Sequence, residues 1–356
     1  MRRLAMSTLT MLLTLTVLCG VARAAAPKAK EDKRFSVHGV AFYNLENLFD
    51  TINNNGKYDL EFSPEGSRQW DGKKYWSKIN RLASTIAAMT SNTTPGGPAI
   101  IGVSEIENRT VLDDLVRAEP IRKSMLQVVH HESPDRRGVD VGLLYNPRMF
   151  KLLNVTNHRL VVPDKPNFRT RDQMCVVGLL GGSKVAVIVN HYPSRLGGQE
   201  QSSPLREAAA ALSKHIADSL WQEDPDMGVI IMGDLNDDPH DKAIAEVLGA
   251  AKNPEGVQPH EFYNPWWRTL DQGVGTLAYR GAWNLFDQII VSGNLLEQNN
   301  PNGLHFWNHK VNNFDFLVTP DGPRQGYPLR TYSGGVWLDG YSDHFPTEIF
   351  LIRPRH

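Results

Sequence analysis

Cysteine is almost absent from the 356-residue chain, which has only Cys19 and Cys175. Cys19 lies in an apolar leader, so Cys175 is left alone in the run from Met174 to Leu180, and no disulfide framework holds the fold. There is no cysteine pair and no His-Glu-x-x-His run, which disfavours a zinc site. Charge of one sign is also missing, because 38 Lys and Arg face 39 Asp and Glu. Such a balance argues against a broad positive field that coats nucleic acid, and leaves room for a local site. Neither repeats nor low-complexity linkers divide the chain, so residues 35–353 read as one large domain that must be held by its own core.

What is present begins with Met1-Arg2-Arg3, an apolar stretch through Met11, Leu12, Leu13, Leu15, Val17 and Leu18, and Ala22-Arg23-Ala24. A basic start, a short apolar core and small residues at the exit describe a signal peptide over residues 1–24, with cleavage after Ala24. The expected location is therefore the periplasm or the outside of the cell. Leu18 stands where a small residue would precede a lipid-modified cysteine, which argues against a lipoprotein. Residues 1–24 carry three arginines and no acid, so the remainder has 35 basic and 39 acidic residues and a net charge of about −4. It is expected to be a monomer without stable membrane insertion.

Short, continuously apolar runs at 37–42, 99–103, 126–130, 139–145, 152–160, 175–180, 185–189, 228–232, 287–291 and 347–352 read as buried strands. Between them fall helical patterns. Asp71 caps one with Tyr75, Ile79, Leu82 and Ile86 on a face, Asn108 caps a short one, and Ser203-Pro204 starts a third through Leu205, Ala209, Leu212, Ile216 and Leu220. A fourth follows Pro239 through Ile244 and Leu248, and residues 252–284 read as long surface loops in which Trp266-Trp267 pack. Strands and helices in alternation, with paired strands between, indicate an α/β domain with two sheets.

Polar residues collect where strands end. Asn44 and Glu46 follow the first strand, Glu105 the second, His191 the strand at 185–189, and Asp234 and Asn236 the strand at 228–232. Asp287 opens a strand, and Asp343-His344 precede the last one. Taken singly, each has an ordinary reading as a turn former, cap or bonded histidine. Together they form a set of hard oxygen donors and two histidines that suits Mg²⁺, Mn²⁺ or Ca²⁺ and chemistry on a phosphate ester. Asp140 sits in an otherwise apolar run, where an unpaired carboxylate is costly, so it requires a partner.

Asn44-Leu45-Glu46, Ser104-Glu105-Ile106-Glu107, Asn190-His191-Tyr192-Pro193-Ser194-Arg195, Gly233-Asp234-Leu235-Asn236-Asp237, Phe286-Asp287-Gln288-Ile289 and Ser342-Asp343-His344 resemble, in order, the motifs of the endonuclease/exonuclease/phosphatase (deoxyribonuclease I-like) family. The resemblance spans about residues 37–352 and implies a four-layered α/β sandwich of two central sheets flanked by helices. It implies Glu105 as principal metal ligand aided by Asn44 and Glu46, and Asp234 as the group that orients or deprotonates water, steadied by Asn236. It further implies His344 facing the phosphate beside Asp343 and oriented by Asp287. His191 would bond the phosphate or protonate the leaving oxygen, with Asp140 as its orienting partner. Arg195 would clamp the phosphate; Arg169 and Arg171 read as solvated.

The implied reaction is metal-dependent hydrolysis of a phosphoester by direct attack of water, with no covalent intermediate. Relatives in this family act on nucleic acids, phosphoinositides and sphingomyelin, so the motifs alone do not name the substrate. A nuclease or phosphodiesterase is the first reading, a secreted phosphatase or sphingomyelinase-like phospholipid hydrolase the second, and a catalytically dead binding scaffold the third. The complete set of site residues disfavours the last.

Overall fold

A computed structural model describes residues 35–53 and 57–355; the signal peptide expected over 1–24 lies outside the described residues. One sheet has six strands, in spatial order His305–Val311, Thr347–Pro354, Phe35–Leu48, Ile100–Ile106, Asp140–Tyr145 and Gln127–His130. The other has seven, in the order Phe150–His158, Gln173–Leu180, Ser183–His191, Gly228–Asp234, Asp287–Ser292, Phe262–Tyr263 and Ala250–Ala251. Both are mixed. Phe35–Leu48 runs parallel to Ile100–Ile106, and Ser183–His191 parallel to Gly228–Asp234, while the remaining large pairings are antiparallel.

The continuously apolar strands are explained by burial on both faces. Along the first strand Val40 and Phe42 enter the core shared by the sheets, whereas Ala41 and Tyr43 face an outer core. The same alternation sends Ile230 and Met232 inward and Val229 and Ile231 outward. Successive side chains of a strand point to opposite faces, so a strand covered twice has no polar position to show. Each outer face is covered by helices. Gly72–Ala88 and Arg109–Arg117 bring Tyr75, Ile79, Leu82, Leu112 and Leu115 to the first sheet, and Gln199–Glu223 brings Ala209, Ala210, Ile216, Ala217 and Trp221 to the second. The result is the four-layered α/β sandwich.

Caps behave as their residue types dictate. The Asp71 carboxylate accepts from Lys74 N and the Asn108 side chain from Val111 N, contacts worth about 1 kcal/mol each. The third helix departs from expectation: it begins at Gln199, after Gly198 with φ 110°, and Pro204 lies inside it. Ser202 N already bonds Gly198 O, so the helix is under way before the proline, whose ring removes one later bond. The segment after Pro239 closes as one wide turn, Ala243–Val247. Residues 252–284, expected as loops, contain the helix Trp266–Asp271 and the ribbon Leu277–Tyr279/Ala282–Asn284. Trp266 is fully buried and its indole N–H donates to Ile289 O.

The two-sheet core places the strand ends. Asn44 pairs in register with Ser104, His191 with Asp234, and Asp234 with Asp287, so residues remote in sequence meet at one edge of the sandwich.

Candidate active site

At that edge the backbone turns sharply. Glu46, Asn47, Glu105 and Asn236 all adopt left-handed φ values, 48°, 51°, 59° and 50°. A non-glycine residue held there costs roughly 1–3 kcal/mol, and such strain concentrates where a side chain must be aimed rather than merely packed. Registers slip between Asn44 and Leu48 and between Ser104 and Ile106, which lifts Glu46 and Glu105 out of the ladder. Gly233 serves the same end. A Cβ there would stand 2.3 Å from Asn190 O, so only glycine lets the two parallel strands approach closely enough to set Asp234 beside His191.

Asp234 is the centre of the buried network. Asn236 N donates to its Oδ1 at 3.0 Å and Asn44 Nδ2 to its Oδ2 at 3.0 Å. His191 Nε2 lies 3.5 Å and His344 Nε2 3.9 Å from the same Oδ2. Burial, with the charges of Asp287 and Glu105, outweighs the nearby His344 and pushes the Asp234 carboxyl up to about 6. Asn236 donates its amide to Tyr192 O at 3.1 Å, fixing the turn after Asp234.

The two histidines are held differently. His344 Nδ1 meets Asp287 Oδ2 at 2.6 Å, and the His344 backbone N–H donates to Ser342 Oγ, which in turn donates to Asn44 O at 2.6 Å. Burial opposes a charge on His344, yet Asp287, Asp234 and Asp343 together raise its pKa well above the ordinary value. His191 is buried too, but its Nδ1 has no partner among the described residues, and burial with Arg171 lowers its pKa well below the ordinary value. One imidazole is charged and its neighbour neutral.

Glu105 forms the opposite wall. Its carboxylate accepts from Asn47 N at 3.0 Å and Arg137 Nη1 at 3.1 Å, and Oε1 lies 3.9 Å from His191 Nε2. Burial works against its ionisation, but Arg137 and the charged His344 hold the carboxyl well below the usual range. Glu46 is turned to another partner set, accepting from Thr331 N at 2.7 Å and Arg330 Nε at 3.3 Å, with Lys78 Nζ at 3.9 Å. Arg330 also donates to Asp343 Oδ2 at 2.6 Å. Lys78 is buried and its amine is lowered to about 8, burial exceeding the pull of Glu46 and Asp343.

Asn44, Glu46, Glu105, His191, Asp234, Asn236, Asp287, Asp343 and His344 are thus brought together. Three expectations are corrected. Asp140 does not orient His191: it bonds His130 Nε2 at 3.0 Å and Ser133 N at 2.9 Å, and the Ser133 hydroxyl as well. Asp140 belongs to the first sheet, where His130 is on the adjoining strand, whereas His191 belongs to the second. Arg195 is no free clamp either. Its guanidinium bonds Asp241 at 2.7 Å and Asn236 O at 2.8 Å, lies 3.5 Å from Asp237 and Asp238, and covers the Phe286 ring. It secures the turn that carries Asn236. Arg169 is exposed as expected, but Arg171 is buried, holding the carbonyls of His191 and Tyr192 and the Asp135 carboxylate. Arg137, Arg330 and Lys78 were not singled out by sequence: they lie on a charged loop, an unpatterned segment and a helix, with no signal of their partners.

The donor set fits a hard divalent cation. Glu105 is held ionised with Arg137 at one oxygen and Asn47 N at the other, the Asn44 amide oxygen accepts from Glu46 N at 2.9 Å and leaves a lone pair, and the one cysteine among the described residues, Cys175, is buried in the second sheet's outer core. Asp234, Asp287 and His344 also place ligand atoms within 4.8 Å of one another, but the 2.6 Å bond commits Asp287 to His344.

Comparison with known proteins bears on the family and the fold. The model of the Endonuclease/Exonuclease/phosphatase family matches residues 39–353. Among solved structures, D. rerio TDP2 complexed with single strand DNA product is 14% identical, with 89% of this chain and 99% of that chain covered at a TM-score of 0.53. An endonuclease/exonuclease/phosphatase family protein from Bacteroides thetaiotaomicron is 15% identical, covering 91% and 100% at 0.53. The human Nocturnin catalytic domain with bound sulfate anion is 14% identical, covering 90% and 97% at 0.52. At these identities the likeness shows the fold. No curated protein sequence matches the chain.

Proposed function

Because the chain belongs to the endonuclease/exonuclease/phosphatase family, whose members hydrolyse phosphoesters, we propose that it is a divalent-metal-dependent phosphodiesterase that cuts nucleic acid by direct attack of water. The observation that carries this reading is Asp234, a buried carboxylate poised near 6 between a charged and a neutral imidazole. At neutral pH it is ionised and accepts the proton of the attacking water. Asn236 N and Asn44 Nδ2 fix its two oxygens, so the base does not reorient during the step. Charged His344, oriented by Asp287, holds a phosphoryl oxygen, and neutral His191 offers one N–H to another. Its low pKa argues for holding rather than proton donation.

Glu105 and Asn44 would hold the cation, with Glu46 acting through Arg330 beside Asp343. When bound there, Mg²⁺, Mn²⁺ or Ca²⁺ polarises a phosphoryl oxygen and offsets charge on the departing one. The signal peptide expected over residues 1–24 supports action in the periplasm or outside the cell. A nucleic-acid substrate is supported by the similarly folded TDP2 structure complexed with single strand DNA product.

The test is hydrolysis by the chain from Ala25 of plasmid DNA, RNA, bis-p-nitrophenyl phosphate, p-nitrophenyl phosphate, a phosphoinositide and sphingomyelin, with each metal or EDTA. Cutting of nucleic acid and the small diester that EDTA and Glu105→Gln both stop is the expected outcome. Turnover of monoester or lipid alone would replace this reading with a phosphatase or phospholipid hydrolase.

A further inference from the structure

Beside His191 the surface opens into a cavity of about 660 Å³. It shares Arg137, which bonds Glu105, and Arg171, which bonds His191 O, with the catalytic centre, so it continues the site rather than standing apart from it. Its wall is apolar at Phe168, Leu196 and Leu205, and Leu196 is 87% exposed. Its rim carries Arg136, Lys165 and Arg169, all exposed. Arg136 donates to Asn167 O, and Arg169 to Pro166 O and Phe168 O. None of these three is paired with a carboxylate among the described residues. The one acid on the lining, Asp135, is already neutralised by buried Arg171 at 3.1 Å.

Three uncompensated cations around an apolar wall are unusual on a chain whose net charge is −1. They are complementary to an anion that carries a flat or apolar group. Resting on the phosphodiesterase reading, we propose that this cavity is a subsite for one unpaired nucleotide next to the scissile phosphate, with its base against Phe168 and Leu196 and its flanking phosphate held by Arg136, Lys165 and Arg169. A base stacked and paired in a duplex has no face free to enter such a cavity, whereas an unpaired base stacks on an aromatic side chain without regard to sequence. The site is therefore selective for single strands.

The test uses Arg136→Ala/Lys165→Ala/Arg169→Ala and, separately, Phe168→Leu. Anisotropy of a fluorescent single-stranded decadeoxynucleotide, measured in EDTA, reads binding without catalysis. The triple variant is expected to bind at least tenfold more weakly and to lose about 0.7 from the slope of log affinity against log salt, because the one flanking phosphate contact of a single strand contributes about 0.7. Phe168→Leu is expected to weaken binding severalfold with an unchanged salt slope. In turnover, the triple variant is expected to lose at least tenfold in kcat/KM on the oligonucleotide while hydrolysing bis-p-nitrophenyl phosphate within twofold of the parent. Unchanged affinity and salt slope would overturn the subsite, even if the small diester is cleaved. Equal loss on both substrates would overturn it too, as would a selective loss on sphingomyelin vesicles in place of the oligonucleotide. Failure to cleave any diester would contradict the phosphodiesterase reading instead, and the anisotropy would still decide the subsite.

Discussion

His344 and His191 approach the same Asp234 oxygen from different elements, at 3.9 and 3.5 Å, yet one is charged and the other neutral. Both are buried, so desolvation does not separate them. What differs is the atom facing each Nδ1: Asp287 Oδ2 at 2.6 Å for His344, and no partner among the described residues for His191, with Arg171 bound to its carbonyl. The charge state of a buried imidazole is thus set by the carboxylate behind it, and a site can hold both forms a few ångströms apart.

The largest effect should come from erasing that difference. Asp287→Asn leaves His344 buried without its counter-charge and is expected to lower kcat by about 10²–10³, the range found when one preorganised stabilising group is lost. The His344 charge also contributes stability that is complete below its ordinary 6.5 and fades as pH climbs through the raised value. The Tm advantage of the parent over Asp287→Asn should accordingly shrink at alkaline pH; an advantage that grew there would contradict the pairing. His191→Gln keeps an N–H donor without titrating and is expected to cost about tenfold in kcat, since a neutral hydrogen bond of about 1–1.5 kcal/mol is disturbed. A loss as large as that of Asp287→Asn would make His191 a proton donor.

Imidazole nitrogen NMR reads the comparison directly. At one neutral pH His344 should be protonated and His191 unprotonated, and Asp287→Asn should bring His344 toward its neighbour. The smallest catalytic effect is expected at Asp140. Asp140→Asn should leave kcat within about twofold while lowering stability by about 1–3 kcal/mol, because it disturbs the buried bonds to His130 and Ser133. A large loss of kcat at unchanged Tm would restore the link to His191.

Much of this was legible in the sequence because strands buried on both faces announce themselves as unbroken apolar runs, and the polar residues just after each run fall at the sandwich edge. That logic located Asn44, Glu105, His191 and Asp234. It failed where side chains choose among partners. Asp140 needed a partner, and the apolar run said so, but whether that partner was His130 or His191 depended on which sheet each strand joined. Arg195 stood beside His191 in sequence, yet three acids after Asp234 claim it. Arg137 and Arg330 reach Glu105 and Glu46 from loops whose course no periodicity encodes.

The most direct measurement is the pH dependence of kcat for bis-p-nitrophenyl phosphate with Mn²⁺, in the parent and in Asp234→Asn. A buried base held at about 6 predicts a rate that climbs with pH through that value and then levels. It also predicts that Asp234→Asn, at an unchanged Tm, loses the limb together with at least 10² in rate. A variant that kept the parent rate and the same limb would contradict Asp234 as the group that activates water.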